Sequence, residues 1–240
     1  GIELKQDGCA DVQLSWKKVA DRIDELILQG RYFVPEVEQK SAVIDATPKS
    51  EPEVPEIFAE NFRITDEALG EGGAKTKFRM NMDAIYTLKT LENQNRNATP
   101  EEQETLSKYV GWGGIPEAFD EENTSWIREF KELKAALTDD EYTAARGSTL
   151  NAHYTSPTVI KAIYEAVGNM GFKTGNILEP AMGVGNFFGL LPESMKDSRL
   201  YGVELDSITG RIAQKLYPKA VIMVAGFETT DRRDFFDLAV

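Results

Sequence analysis

The sequence predicts an α/β protein in which a helical extension precedes a doubly wound, Rossmann-like parallel sheet. Residues 57–150 show helical apolar periodicity alone, whereas from Asn151 onward helical stretches alternate with short apolar runs. That alternation is typical of a parallel sheet with crossover helices. The first two runs end near Glu179 and Glu204. Because ligands bind beyond the carboxyl ends of the strands in such sheets, the predicted site lies at these residues and at the segment 225–227 after the third run.

The first 56 residues are predicted to lie outside this fold. Apolar residues recur at three- and four-residue intervals between Asp11 and Gln29, which predicts an amphipathic helix within an N-terminal segment, 1–35. Its apolar stripe needs a partner surface, either on the later domain or on a second copy of the chain, so self-association through this helix is one expectation. The segment 36–56 is rich in Pro, Glu, Ser and Thr and is predicted to be a disordered acidic linker.

Composition excludes several classes of protein. No apolar run reaches the roughly 18 residues of a membrane helix, and the N-terminus shows no secretory signal, so a cytoplasmic location is predicted. With one cysteine, Cys9, and one histidine, His153, no internal disulfide and no metal site are predicted. Ten acidic and three basic residues between Glu36 and Gly72 supply more than half of the net charge of −13. The acidic balance therefore does not exclude a nucleic-acid partner.

Four helices are predicted in the helical region, 57–150. The second opens at Thr99, a favourable N-cap, with Pro100 at the first helical position and acidic residues in the first turn. It is expected to stop at the glycine-rich segment VGWGGIPEAF. The other three are predicted at about residues 74–95, 125–137 and 139–146.

Trp112 lies among three glycines in that segment. Glycines let the backbone adopt left-handed conformations, and the large ring can either anchor the turn in the core or protrude toward a ligand or nucleic acid. The core anchor is the favoured interpretation, and contact with a ligand is the alternative.

The last region, 151–240, is predicted to be a ligand-binding half-domain of alternating elements. Its predicted helices are residues 157–170, a helix beginning at 186, and 207–216, and its predicted strands are 176–180, 200–205, 221–225 and the final segment 235–240.

The turn after the first predicted strand indicates what the site binds. A carboxylate at Glu179 favours a cation, and Gly183 and Gly185 let a ligand approach the backbone. Glu204, at the end of the second strand, can accept two hydrogen bonds from ribose hydroxyls. A nicotinamide dinucleotide also has a ribose, but the segment from Gly183 to Phe188 lacks the third glycine of G-x-G-x-x-G. S-adenosylmethionine, which has a cationic amino group and sulfonium and no phosphate, fits better.

These segments resemble known motifs. ILEPAMGVGNFF, residues 177–188, resembles the first motif of DNA adenine-N6 methyltransferases, usually close to D/E-P-A-C-G-S-G-x-F, and YGVELD, 201–206, resembles their second. HYTSPTVIKAIYEAV, 153–167, is similar to the segment that opens the domain in circularly permuted members. The region from NFRITDEALGEGGAKTKFRMNMDAI through YVGWGGIPEAF resembles the front end of large methylase and helicase fusion proteins of bacterial mobile elements.

The resemblance implies a class I methyltransferase sheet, incomplete at its C-terminal side, that binds S-adenosylmethionine in a protein acting on DNA. Thr155 would contact the cofactor carboxylate, Glu179 its amino group, and Glu204 the ribose hydroxyls. The implied cofactor-binding residues are Thr155, Glu179, Pro180, Ala181, Gly183, Gly185, Glu204, Leu205 against the adenine, and Phe227. Simpler explanations remain, since Glu179 could cap its turn, Thr155 could cap the following helix, and Glu204 could be solvated.

Two departures from the family pattern limit the expected function. Gly226 stands where the family usually has an acidic residue that contacts the adenine amine, although Phe227 keeps the aromatic that follows. The catalytic N/D-P-P-Y/F motif does not occur in the 240 residues, so no catalytic residue is assigned and the chain is predicted to be an inactive cofactor-binding fragment. An interaction module for nucleic acid or protein, built on a degenerate methyltransferase fold, is the alternative, and a nicotinamide-dependent oxidoreductase is a more distant one.

Overall fold

A four-stranded parallel sheet forms the second half of the molecule. Its strands are β1, Asn176–Glu179, β2, Arg199–Glu204, β3, Val221–Val224, and β4, Leu238–Ala239. They lie in the order β3-β2-β1-β4, and every neighbouring pair is parallel. The chain thus adds strands on one side of β1 and then returns to its other side, as in a doubly wound sheet. The predicted α/β fold class is confirmed.

The structure is a computed structural model that describes residues 60–66, 70–150 and 154–240. All of these belong to one compact unit, Val54–Val240. The predicted N-terminal helix, the predicted linker and His153 lie outside the described residues. The predicted domain boundaries stay predictions.

Seven α-helices are present in the described residues, and their bounds follow the predicted ones closely. The helical region contains α1, Ala74–Asn93, α2, Pro100–Ser107, α3, Ile127–Ala136, and α4, Asp139–Ser148; the sheet region contains α5, Pro157–Asn169, α6, Asn186–Gly189, and α7, Ser207–Leu216. Short 3-10 helices occupy Pro116–Phe119, Glu193–Met195 and Phe227–Thr229. Helix α6 is a single turn, because Pro192 follows shortly after it and cannot continue a helix.

Side-chain caps explain where two helices of the helical region begin. The Thr99 hydroxyl accepts a hydrogen bond from the Glu102 N–H at 3.3 Å, and the Glu102 carboxylate accepts one from the Thr99 N–H at 2.9 Å. Thr138 and Glu141 form the same reciprocal pair at the start of α4. Both are capping boxes, which satisfy two otherwise free backbone N–H groups. The predicted N-cap at Thr99 is confirmed.

Trp112 is a core residue. Its side chain is fully buried, with ring centroids 5.3 Å from Phe119 and 6.1 Å from Phe78. The Trp112 ring is therefore the core anchor of the glycine-rich loop, as favoured, and it does not protrude. Contact of the loop backbone with a ligand is not tested by this burial and stays a prediction. Helix α2 ends at Ser107, a little before this loop.

Within the described residues, no helix combines the length and the apolarity needed to cross a membrane.

Candidate functional site

The turn that follows β1 is built around two glycines. Gly183 has φ +57° and Gly185 has φ +84°, in the left-handed region that favours glycine. A Cβ on Gly183 would lie 2.9 Å from Cε1 of Tyr154, and one on Gly185 would lie 2.6 Å from Cε2 of Tyr217. Both positions therefore need glycine for conformation and for space, and the backbone of the turn stays open beside the end of β1.

Glu179, the last residue of β1, is buried at the floor of this site. Only 6% of Glu179 is exposed, and its buried Oε2 has no hydrogen-bond partner among the described residues. Burial, and then the nearby charge of Glu204, raise the pKa of the Glu179 carboxyl well above its ordinary value. Because a buried carboxylate without a donor is costly, this atom suits a cationic or hydrogen-bond-donating ligand.

Glu204, the last residue of β2, is fixed by two backbone amides. Its Oε2 accepts a hydrogen bond from the Gly183 N–H, and its Oε1 accepts one from the Asp206 N–H, both at 2.8 Å. Burial raises its pKa, and these amides offset part of that effect. A carboxylate has about four lone-pair positions, so each oxygen of Glu204 keeps capacity for a ligand hydroxyl or amine.

The two carboxylates face two adjoining cavities. The Glu179 cavity has a volume of about 310 Å³, and the Glu204 cavity has about 390 Å³. Tyr154, Ala181 and Gly183 line both, so the glycine turn lies between them. A ligand of two parts could therefore cross the turn, with one part beside each carboxylate.

The structure brings together seven of the nine residues assigned from the sequence. The Glu179 cavity is lined by Thr155, Glu179, Pro180, Ala181 and Gly183, and the Glu204 cavity by Ala181, Gly183, Glu204 and Leu205. Leu205 is 76% exposed, so its side chain is available to cover a ring. Gly185 and Phe227 line neither cavity. Their assignment as cofactor-binding residues stays a prediction.

Further lining residues were not identified from the sequence. Tyr154, Asp206 and Thr209 line the Glu204 cavity, together with Gly111, Ala144, Gly147 and Ser148 of the helical region. Tyr154 and Asp206 each adjoin an assigned residue and could have been included on that ground. The residues of the helical region carry no motif, and only the folded structure brings them to the cavity.

The position of the missing acidic residue has a carboxylate beside it. A Cβ on Gly226 would collide with the carboxylate of Glu228, which folds back from the 3-10 helix Phe227–Thr229. The end of β3 therefore has an acidic group close to Gly226, although the residue at that position has no side chain.

Among the described residues, no group of three or more His, Cys, Asp or Glu side chains is arranged to hold a metal ion.

Comparison with known proteins gives partial similarities. No family model matches the chain. The chain is 24% identical over 174 residues to the Defense against restriction protein B of Escherichia phage P1, covering 71% of this chain and 6% of that protein. It is 33% identical over 87 residues to the Type II methyltransferase M.CvrRI of Paramecium bursaria Chlorella virus XZ-6E, covering 36% of this chain and 22% of that protein.

One solved structure, a class I S-adenosylmethionine-dependent methyltransferase of Listeria monocytogenes, aligns with a TM-score of 0.31 and 13% identity, over 69% of this chain and 58% of its own. The similarity to M.CvrRI extends over about a third of the chain. The chain spans less than a quarter of the length of either curated relative.

Proposed function

We propose that this chain is the cofactor-binding part of an S-adenosylmethionine-dependent DNA methyltransferase, and that the complete protein methylates adenine at N6. One observation is central to the proposal. Glu179 and Glu204 end neighbouring strands, and they face adjoining cavities on either side of a glycine turn. The similarity to a viral type II methyltransferase supports the same conclusion, as do the three sequence motifs that resemble those of adenine methyltransferases.

The residues present fit the methionine part of this cofactor. The buried, unpartnered Oε2 of Glu179 is suited to the cationic amino group, because an opposite charge or donor compensates a buried carboxylate. Thr155 lines the same cavity, and its hydroxyl would donate a hydrogen bond to the cofactor carboxylate. The backbone of Ala181–Gly183 would contact the methionine part of the cofactor.

The residues of the Glu204 cavity fit the adenosine part. Each carboxylate oxygen of Glu204 accepts one hydrogen bond from a backbone N–H. Its remaining lone pair would accept a second hydrogen bond, from a ribose hydroxyl. The exposed Leu205 would cover one face of the adenine. When bound, S-adenosylmethionine supplies a methyl group on a positively charged sulfur, which is an electrophile.

Methyl transfer requires an acceptor amine aligned with that methyl group. The N/D-P-P-Y/F segment, which holds the flipped adenine in the family that the chain resembles, does not occur in these 240 residues. We therefore expect cofactor binding without methyl transfer from this chain alone. DNA would be a partner of the complete protein, whose place would be the cytoplasm. The similarity to a phage protein agrees with an origin in a mobile element.

Titration calorimetry with S-adenosylmethionine and S-adenosylhomocysteine tests the proposed cofactor. We expect saturable binding that Glu204→Ala abolishes and that Glu193→Ala, at an exposed surface residue, leaves unchanged. Heats no larger than dilution for both ligands would overturn the proposal and favour an interaction module on this fold. Tighter binding of a nicotinamide dinucleotide would favour an oxidoreductase.

An assay with radiolabelled S-adenosylmethionine tests whether this chain alone transfers methyl groups to DNA. We expect no incorporation into DNA by the pure 240-residue chain, since bound cofactor without an aligned acceptor gives no rate. Incorporation into adenine above background would show that a catalytic group lies within these residues.

A further inference from the structure

The Glu204 cavity has a second wall that the sheet region does not supply. It is lined by Glu204, the last residue of β2, and by Leu205 and Asp206, which follow it. It is also lined by Ala144, Gly147 and Ser148, all from α4. A helix of the helical region thus lines the same cavity as the residues that would hold adenosine.

Ion pairs fix α4 against the element that follows Leu205 and Asp206. Helix α7 begins directly after them, at Ser207, and presents Arg211. One guanidinium nitrogen of Arg211 lies 3.0 Å from the Glu92 carboxylate on α1, and the other pairs with Glu141 on α4. Lys89 of α1 also pairs with Glu141, at 2.9 Å. We call Lys89, Glu92, Glu141 and Arg211 the Arg211 cluster.

Glu141 holds the beginning of α4 in two ways. It is buried, with only 8% of the residue exposed, and its Oε2 also accepts the capping hydrogen bond from the Thr138 N–H. The same carboxylate therefore fixes where α4 begins and how it sits on α7. Ala144 and Ser148 follow Glu141 at one-turn and two-turn spacing, so the fixed face of the helix continues to the cavity wall.

From this geometry we propose that α4 closes the cofactor cavity over its adenosine end, so that the helical region is part of the cofactor site. This inference rests on the proposed function, and it assigns specificity to residues outside the methyltransferase-like motifs. Ala144, Gly147 and Ser148 would form the wall opposite Leu205, and the adenine would lie between them.

The space and the polar groups of the cavity suit this occupant. A Cβ on Gly147 would meet nothing within 4 Å, so the wall leaves room for a ring. Asp206 accepts two hydrogen bonds from Thr209 through Oδ1, at 2.8 and 2.7 Å, while its buried Oδ2 has no partner among the described residues. The carboxylates of Glu204 and Asp206, which are acceptors, thus belong to the lining of the cavity, and the ribose hydroxyls and the adenine amine are the donors of adenosine.

Closure by α4 makes cofactor binding and docking of α4 mutually dependent. A ligand that touches both walls binds the docked arrangement better than an undocked one, and it stabilises that arrangement by the difference in binding free energy. We therefore expect hydrogen exchange of the α4 amides to slow when S-adenosylhomocysteine binds the wild-type chain.

Gly147→Leu tests the wall without a steric conflict in the free protein. The open space at Gly147 accepts the side chain, and replacement of a helical glycine does not lower helix propensity, so the melting temperature is expected to equal or exceed that of the wild type. The leucine would occupy the cavity and lower the affinity for S-adenosylhomocysteine at least tenfold, as measured by titration calorimetry. Thr143→Leu is the matched control, because it places the same side chain one turn earlier, on an exposed residue outside the wall, and we expect its affinity within about twofold of wild type.

The outcomes separate this inference from the proposed function. A loss of affinity confined to Gly147→Leu, with slower exchange in α4 on binding to the wild type, supports closure. Affinity of Gly147→Leu within twofold of wild type, equal losses in both variants, or unchanged exchange in α4 would overturn the inference and leave the proposed cofactor in place. Absence of binding by the wild-type chain would overturn both.

Discussion

The backbone N–H of Gly183 donates a hydrogen bond to the Glu204 carboxylate at 2.8 Å. This bond joins the turn after β1 to the end of β2, the strand that pairs beside it. It orients the carboxylate toward the turn, whose residues Ala181 and Gly183 line both cavities. Small changes in this turn should therefore alter both the stability of the chain and its affinity for a ligand.

Gly183→Ala should destabilise the chain more than a positive φ alone explains. Alanine at such a φ costs about 1 kcal/mol, and contact with Tyr154 should add about 1 kcal/mol or more. Gly171→Ala is the matched control, because Gly171 also has a positive φ, +97°, but open space around its Cβ. Denaturant unfolding measures both variants. A loss of about 1 kcal/mol or less in Gly183→Ala would show that Tyr154 does not constrain the turn.

The stability of the ligand-free chain should depend on pH through Glu179. Burial and the charge of Glu204 raise its pKa above the ordinary value of 4.5, so the folded chain holds this proton more tightly than the unfolded chain. The resulting stabilisation is complete below pH 4.5 and is lost as the pH rises toward the folded-state pKa. Glu179→Gln does not ionise, and its melting temperature should therefore rise relative to wild type between pH 5 and pH 8.

The same substitution should weaken binding of the proposed cofactor. A charge-assisted hydrogen bond contributes about 1.5–3 kcal/mol, so Glu179→Gln should bind S-adenosylhomocysteine at least tenfold more weakly at pH 8. Glu193→Gln, at the exposed residue, should change neither property. A variant that is both less stable than wild type at pH 8 and equally able to bind would contradict the role given to this carboxylate.

Local signals made most of the sheet region predictable. Helix α7 spans the predicted residues 207–216, because the Asp206 carboxylate caps it by accepting the Thr209 N–H. Glu179 and Glu204 were assigned together because each ends an apolar run, and parallel strands bring such ends to one edge. These features are encoded within a few residues of the chain.

The second wall of the Glu204 cavity was not predictable in this way. Gly147 and Leu205 line the same cavity but are far apart in the sequence, and an alanine, a glycine and a serine on a helix form no recognisable motif. The charge pairs that bring α4 to α7 are equally non-local, since the sequence does not show which of its many carboxylates Arg211 meets. The carboxylate of Glu228 beside Gly226 likewise depends on how the chain turns after β3.

The Arg211 cluster should stabilise the chain far more than an exposed ion pair of similar geometry. Arg79 and Glu132 form two hydrogen bonds at 2.8 Å, but the Arg79 side chain is 50% exposed, and such pairs contribute about 0–1 kcal/mol. Arg211→Met leaves the buried Glu141 without one of its cationic partners and should cost about 2 kcal/mol, between the values for exposed and fully buried pairs. Arg79→Met should cost about 0.5 kcal/mol or less.

The pH dependence of that difference tests whether Arg211 stabilises the chain through its carboxylate partners, of which Glu141 is buried. Burial alone would raise its pKa, but the Thr138 N–H, Lys89 and Arg211 outweigh burial and lower the pKa from 4.5 to about 2. The stabilisation is therefore present above pH 4.5 and is lost as the pH falls toward 2. Urea unfolding of wild type and Arg211→Met should show a difference that is constant from pH 7 to pH 5 and narrows as the pH is lowered toward 3. A difference that stays constant over this lower range would mean that Arg211 acts mainly through packing of its aliphatic stem and not through its ion pairs.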